Sequence, residues 1–62
     1  MENRENLRVR QTRHRLSEAL MEMLMDRSLR SVSIRELCQK AGINRTTFYN
    51  HYGSQYDLFE EI

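Results

Sequence analysis

The sequence predicts an all-α fold: a three-helix bundle that contains a helix-turn-helix and runs on into the start of a fourth helix. Three observations predict it. Apolar residues recur at helical spacing along most of the chain, hydroxyl or amide residues stand where helices would need N-caps, and there is no proline. The two glycines, Gly42 and Gly53, fall where the chain would have to turn.

From about Val9 to Asp26, Leu16, Ala19, Leu20, Met23 and Leu24 share one apolar sector, the pattern of a scaffold helix. Glu18, Glu22 and Asp26 line one border of that sector. Met21 and Met25 lie roughly opposite its centre. They read either as a docking surface for a further domain or as tolerant fillers at a partly buried edge. Arg27 to Val32 has no periodicity and reads as a loop with Leu29 tucked inward.

A second helix is expected over residues 33 to 41. Ser33 and Glu36 have the spacing of a capping box, Val32 and Leu37 that of a hydrophobic staple, and Ile34, Leu37, Cys38 and Ala41 form its apolar stripe. Gly42 then supplies a residue that ends a helix in the left-handed region without a Cβ penalty. Asn44 caps a third helix over residues 45 to 52, with Ile43 and Phe48 repeating the staple spacing. Ser54 with Asp57 marks a fourth start, after which Leu58, Phe59 and Ile62 share a side. That helix is still periodic at its last residue, so the expectation is a chain that stops in mid-element.

Sixty-two residues hold one small core, which at this size buries only about 60% of the unfolded surface. Cys38 is single and lies on an apolar stripe, so no disulfide framework is expected, and a reducing cytoplasm is the simplest setting. The longest apolar stretch, Ala19 to Met25, is broken by Glu22, which argues against a membrane span. Charge is unevenly spread. Residues 1 to 15 carry five arginines against two glutamates, a balance of +3, while residues 54 to 62 carry three acids and no base. Residues 1 to 8 are thus expected to be a flexible basic arm able to follow phosphates, unless the arginines merely solvate a helix start.

On a wheel at about 100° per residue, Phe48 and Tyr52 face the core. Thr46, Thr47 and Asn50 centre on the opposite side, small and polar enough to enter a major groove and to hydrogen-bond base edges. Tyr49 and His51 fall on the flanks, where they would position the helix against phosphates. Arg45 has the reach for a guanine edge or a phosphate, and Arg35 for the backbone beside it.

The segment AGINRTTFYNHYGSQYDLFEEI, preceded by SIRELCQK, resembles the N-terminal DNA-binding domain of the TetR family of bacterial transcriptional regulators. Ala41 and Gly42 match the family's turn, Thr47, Phe48 and Tyr49 its TFY-like run, and His51 and Tyr52 its His-aromatic pair. The resemblance covers about residues 9 to 62 and implies a homeodomain-like domain. It also implies DNA contacts from Arg35, Arg45, Thr46, Thr47, Tyr49, Asn50 and His51, in agreement with the wheel. It further implies a dimer formed by a C-terminal domain that is outside this chain, a palindromic operator, a small-molecule inducer and a repressing role, with no cofactor. Two positions depart from the family pattern: Gln55 stands where many members have a phosphate-touching lysine, and SLRS where many have a glycine in the loop.

An enzyme would need a nucleophile and base or a metal cluster in one pocket; His14 and His51 lie on different helices with no carboxylate read at ligand spacing. The stronger rival is a helical protein-interaction module using Tyr49, Asn50 and His51 on the same face. His51 also has a bland reading, as a structural histidine donating to a backbone carbonyl.

Overall fold

The computed structural model describes residues 4–62, and in it four α-helices and one 3₁₀ turn follow one another. They are α1 (Arg4–Met23), the 3₁₀ turn (Leu29–Ser31), α2 (Ile34–Ala41), α3 (Arg45–His51) and α4 (Gln55–Glu61). Among the described residues there is no strand, and no helix is long and apolar enough to cross a membrane.

α1 begins at Arg4, five residues before the expected start, so residues 4 to 8 of the expected arm are helical and residues 1 to 3 lie outside the described residues. The reason is local: no glycine or proline interrupts that stretch, and arginine, glutamate and leucine are good helix formers. At its other end the helix tightens. Met25 and Asp26 donate to the carbonyls of Glu22 and Met23, three residues back, and regular structure stops at Met23 rather than Asp26.

The capping box forms as its spacing requires. The Glu36 amide donates to Ser33 Oγ at 3.0 Å, and the Ser33 amide donates to Glu36 Oε1 at 3.4 Å. α2 ends in a Schellman turn: Gly42 donates to Gln39 O at 3.3 Å, Ile43 donates to Cys38 O at 2.9 Å, and Gly42 sits at φ 72°, ψ 32°. A Cβ at Gly42 would meet nothing within 4 Å, so the requirement for glycine there is in the backbone alone. Gly42→Ala should therefore lower stability by about 1–2 kcal/mol, the cost of a side chain in the left-handed region. Urea unfolding would measure it, and an unchanged midpoint would contradict the assignment.

Asn44 Oδ1 accepts from the Thr46 amide at 2.7 Å, and Ser54 Oγ accepts from the Asp57 amide at 3.4 Å, so α3 and α4 both start at side-chain caps. The core is built from Leu16, Ala19, Leu20 and Met23 of α1, Val32, Leu37, Cys38, Phe48, Tyr52 and Leu58. Ile43 and Leu29 pack against its edge as partly buried residues. Lys40 on α2 pairs with Glu22 on α1 at 3.0 Å across the seam between those helices. Met21 and Met25 are both exposed, Met25 by 85%, so neither fills a partly buried edge.

The loop ahead of α2 has no residue at positive φ, which is why SLRS serves where a glycine might have stood. Side chains hold its carbonyls instead. Gln55 Nε2 donates to Val32 O at 2.7 Å and to Leu29 O at 3.4 Å, while Arg27 Nη2 donates to Ser31 O at 2.6 Å and to Glu36 Oε1 at 2.9 Å. Gln55 thus ties the start of α4 to the approach to α2.

Candidate nucleic-acid interface

α3 is only seven residues long and depends on its surroundings, since an isolated helix of that length is not stable in water. Its inner side carries Phe48, fully buried, and is followed by Tyr52, which is 5% exposed. The Phe48 ring lies 5.5 Å from Tyr52 and edge-on to Tyr49 at 5.4 Å. That edge contact braces an otherwise exposed Tyr49 ring against the core.

The outer side presents Arg45, Thr46, Tyr49, Asn50 and His51 to solvent. Thr47 differs from the expectation: it is half-buried rather than open. Of the three residues expected opposite the core, Thr46 and Asn50 are therefore the exposed ones, with Thr47 at their border. Asn44, also exposed, is engaged in the cap.

Arg35 from α2 and Arg45 from α3 line one cleft of about 190 Å³ between the two helices, together with Gln39, Ile43 and Cys38. Two guanidinium side chains from different helices thus border a single concavity at the start of α3, a natural seat for a phosphate. Gln39 was not singled out by the sequence. Its position one turn beyond Arg35 on the same helix face was the available signal. Burial pushes the Cys38 thiol above its ordinary pKa, with a smaller opposing influence from Arg45, so the thiol is protonated and inert at neutral pH.

Three acidic side chains of α2 and α4 are occupied by internal partners. Glu36 is held below the ordinary carboxylate range by Arg27 first and then by Ser33, Asp57 accepts from the Gly53 amide at 3.0 Å, and Glu61 accepts from Arg13 and Tyr52. His14 does have a carboxylate partner, contrary to the sequence reading: Glu18, one turn along α1, lies 3.3 Å from its Nε2. The pair stands alone, and among the described residues no group of three or more His, Cys, Asp or Glu converges as a metal site would require.

Residues 16–62 match the family described as bacterial regulatory proteins, tetR family. An uncharacterized HTH-type transcriptional regulator, YxbF of Bacillus subtilis (strain 168), is 30% identical over 47 residues, which is 76% of this chain and 12% of that protein. The chain therefore spans a small part of its relative's length. No solved structure matches it.

Proposed function

The chain belongs to the tetR family of bacterial regulatory proteins and carries that family's DNA-binding helix-turn-helix, and from that premise we propose that α3 enters the major groove of duplex DNA and reads its sequence. Asn50 and Thr46 meet base edges, with Thr47 beside them. Tyr49 and His51 rest on the groove walls, and Arg35 and Arg45 share a backbone phosphate at the cleft. The protein acts as a cytoplasmic repressor. It dimerises through a further domain, reads a palindrome with two α3 helices about 34–36 Å apart, and is released by a small-molecule inducer.

The observation that supports this reading is the division of α3 into two sides. Phe48 and Tyr52 are buried on one, while Arg45, Thr46, Tyr49, Asn50 and His51 are exposed on the other, and Arg35 and Arg45 line one cleft.

Selection of bound duplexes from a random pool tests it, with this chain and with any longer form of the protein. A palindromic motif is expected from the longer form. With the selected duplex, Arg35→Ala and Arg45→Ala should each weaken binding to all sequences alike and lower the salt slope by about 1. No enrichment from either form would sink the DNA reading and leave a protein partner for the same face as the better account.

A further inference from the structure

We propose that Glu61 and Arg13 are positioning residues for DNA reading, because through the Tyr52 hydroxyl they anchor the far end of α3 to α4 and α1. The inference rests on the DNA-reading role proposed for α3. Tyr52 is the residue on which α3 ends, and its ring is buried in the core. Its hydroxyl leaves that core and donates to Glu61 Oε1 at 2.9 Å. The same oxygen accepts from Arg13 Nη2 at 2.9 Å and from Arg13 Nε at 3.2 Å. One carboxylate oxygen thus receives three donors, brought by α1 and by the C-cap of α3 onto the last residue of α4.

The chemistry suits an anchor. Charge-assisted hydrogen bonds are shorter and stronger than neutral ones, and apolar packing alone has no direction. Tyr52 and Arg13 hold the Glu61 carboxyl below the ordinary range, while burial pushes the Tyr52 hydroxyl up, so at neutral pH one is an acceptor and the other a donor.

Geometry makes the anchor matter for reading. The near end of α3 is fixed by the Gly42 corner and the Asn44 cap. A swing of the helix about that corner displaces Asn50, in its last turn, more than Arg45, in its first. The cluster sits at the distal end, two residues beyond Asn50, where such a swing would be greatest. A slack anchor would leave the phosphate contact of Arg45 nearly in place and misplace the base contact of Asn50.

The test compares Tyr52→Phe, Glu61→Ala, Glu61→Gln and the double variant Tyr52→Phe with Glu61→Ala, in the form of the protein that enriches duplexes. Two readouts are needed: affinity for the selected duplex against a scrambled one, and amide exchange along α2 and α3. Tyr52→Phe keeps the ring and its packing, and Glu61→Gln keeps an acceptor. Tyr52→Phe and Glu61→Ala should each lower affinity for the selected duplex about three- to tenfold, a partly exposed charge-assisted bond being worth that much. Binding to the scrambled duplex should barely change. The double variant should be no worse than the poorer single, Glu61→Gln, which keeps an acceptor without the charge, should fall between the parent and Glu61→Ala, and exchange should quicken at Asn50 to Tyr52 while α2 is unaffected. Additive losses, equal loss on both duplexes, or exchange quickened alike in α2 and α3 would overturn the proposal. A parent protein that selects no duplex would instead overturn the DNA reading, with amide exchange alone then deciding whether the anchor exists.

Discussion

Phe48→Ala is expected to remove roughly a third or more of the domain's folding stability at 25 °C. The ring is fully buried, heads the fully buried side chains by volume, and sits between the Tyr49 and Tyr52 rings at 5.4 and 5.5 Å. Truncating a buried phenylalanine costs about 3–5 kcal/mol through lost transfer energy and the cavity left behind. A domain of this length has only about 3–9 kcal/mol of stability to lose. The cavity cannot be closed cheaply, because Leu37 on α2 and Leu58 on α4 are themselves fully buried in the same core and would have to leave contacts of their own. Circular dichroism against temperature reads the result: the parent should melt in one transition and the variant should melt far below it. A variant melting within a few degrees of the parent would mean that the core is not organised around this ring. Met25→Ala, at a position 85% exposed, is the matching control and should change stability by less than about 0.5 kcal/mol.

Asn50→Ala is expected to cost little or no stability and much of the selectivity. Asn50 is exposed on α3, and alanine is the better helix former, so the fold is retained. An asparagine amide can both donate and accept, which suits it to an adenine edge in the major groove, and such a paired contact is worth about 1–3 kcal/mol of discrimination. Against the selected duplex the loss should be about 5- to 150-fold, confined to one base pair in each half-site. Affinity for unrelated duplexes and the salt slope should stay as they were, because no phosphate contact is removed. Thr47→Ala should give a smaller selective loss, since Thr47 is half-buried and presents less of itself to a groove. Competition binding with single-base variants of the selected duplex distinguishes the outcomes. Equal weakening on every duplex would reassign Asn50 to the backbone and place the reading residues elsewhere on the helix.

The boundaries of α2 and α3 and the start of α4 were legible in the sequence to within one residue because each is set by groups a few positions apart. Ser33 and Glu36, Asn44 and Thr46, Ser54 and Asp57, and Gly42 with the carbonyl of Gln39 are contacts that any chain with those residues at those spacings can form. The buried and exposed sides of α3 were legible for the same reason: helical periodicity is a local property. The start of α1 was not, since no cap or breaker marks it and residues 4 to 8 are compatible with either an arm or a helix.

Other features depend on residues far apart in the chain. Arg13 and Glu61 are separated by 48 positions and Gln55 and Val32 by 23, so no spacing rule connects them. The family resemblance makes Gln55 a missing phosphate contact, whereas in the fold it is a donor to the loop ahead of α2. Tyr52 reads as a core ring, and only the arrival of α4 and α1 gives its hydroxyl a partner. Arg35 and Arg45 read from the sequence as neighbours along a DNA backbone, and only the angle between α2 and α3 sets them around one cleft. By itself, then, the sequence determined the helices, their caps, the sharp corner between α2 and α3 and which side of α3 is apolar, because these follow from contacts within about one helical turn. Tertiary structure alone decided which polar side chains meet across helices, because that follows from how the shared core orients one helix against another.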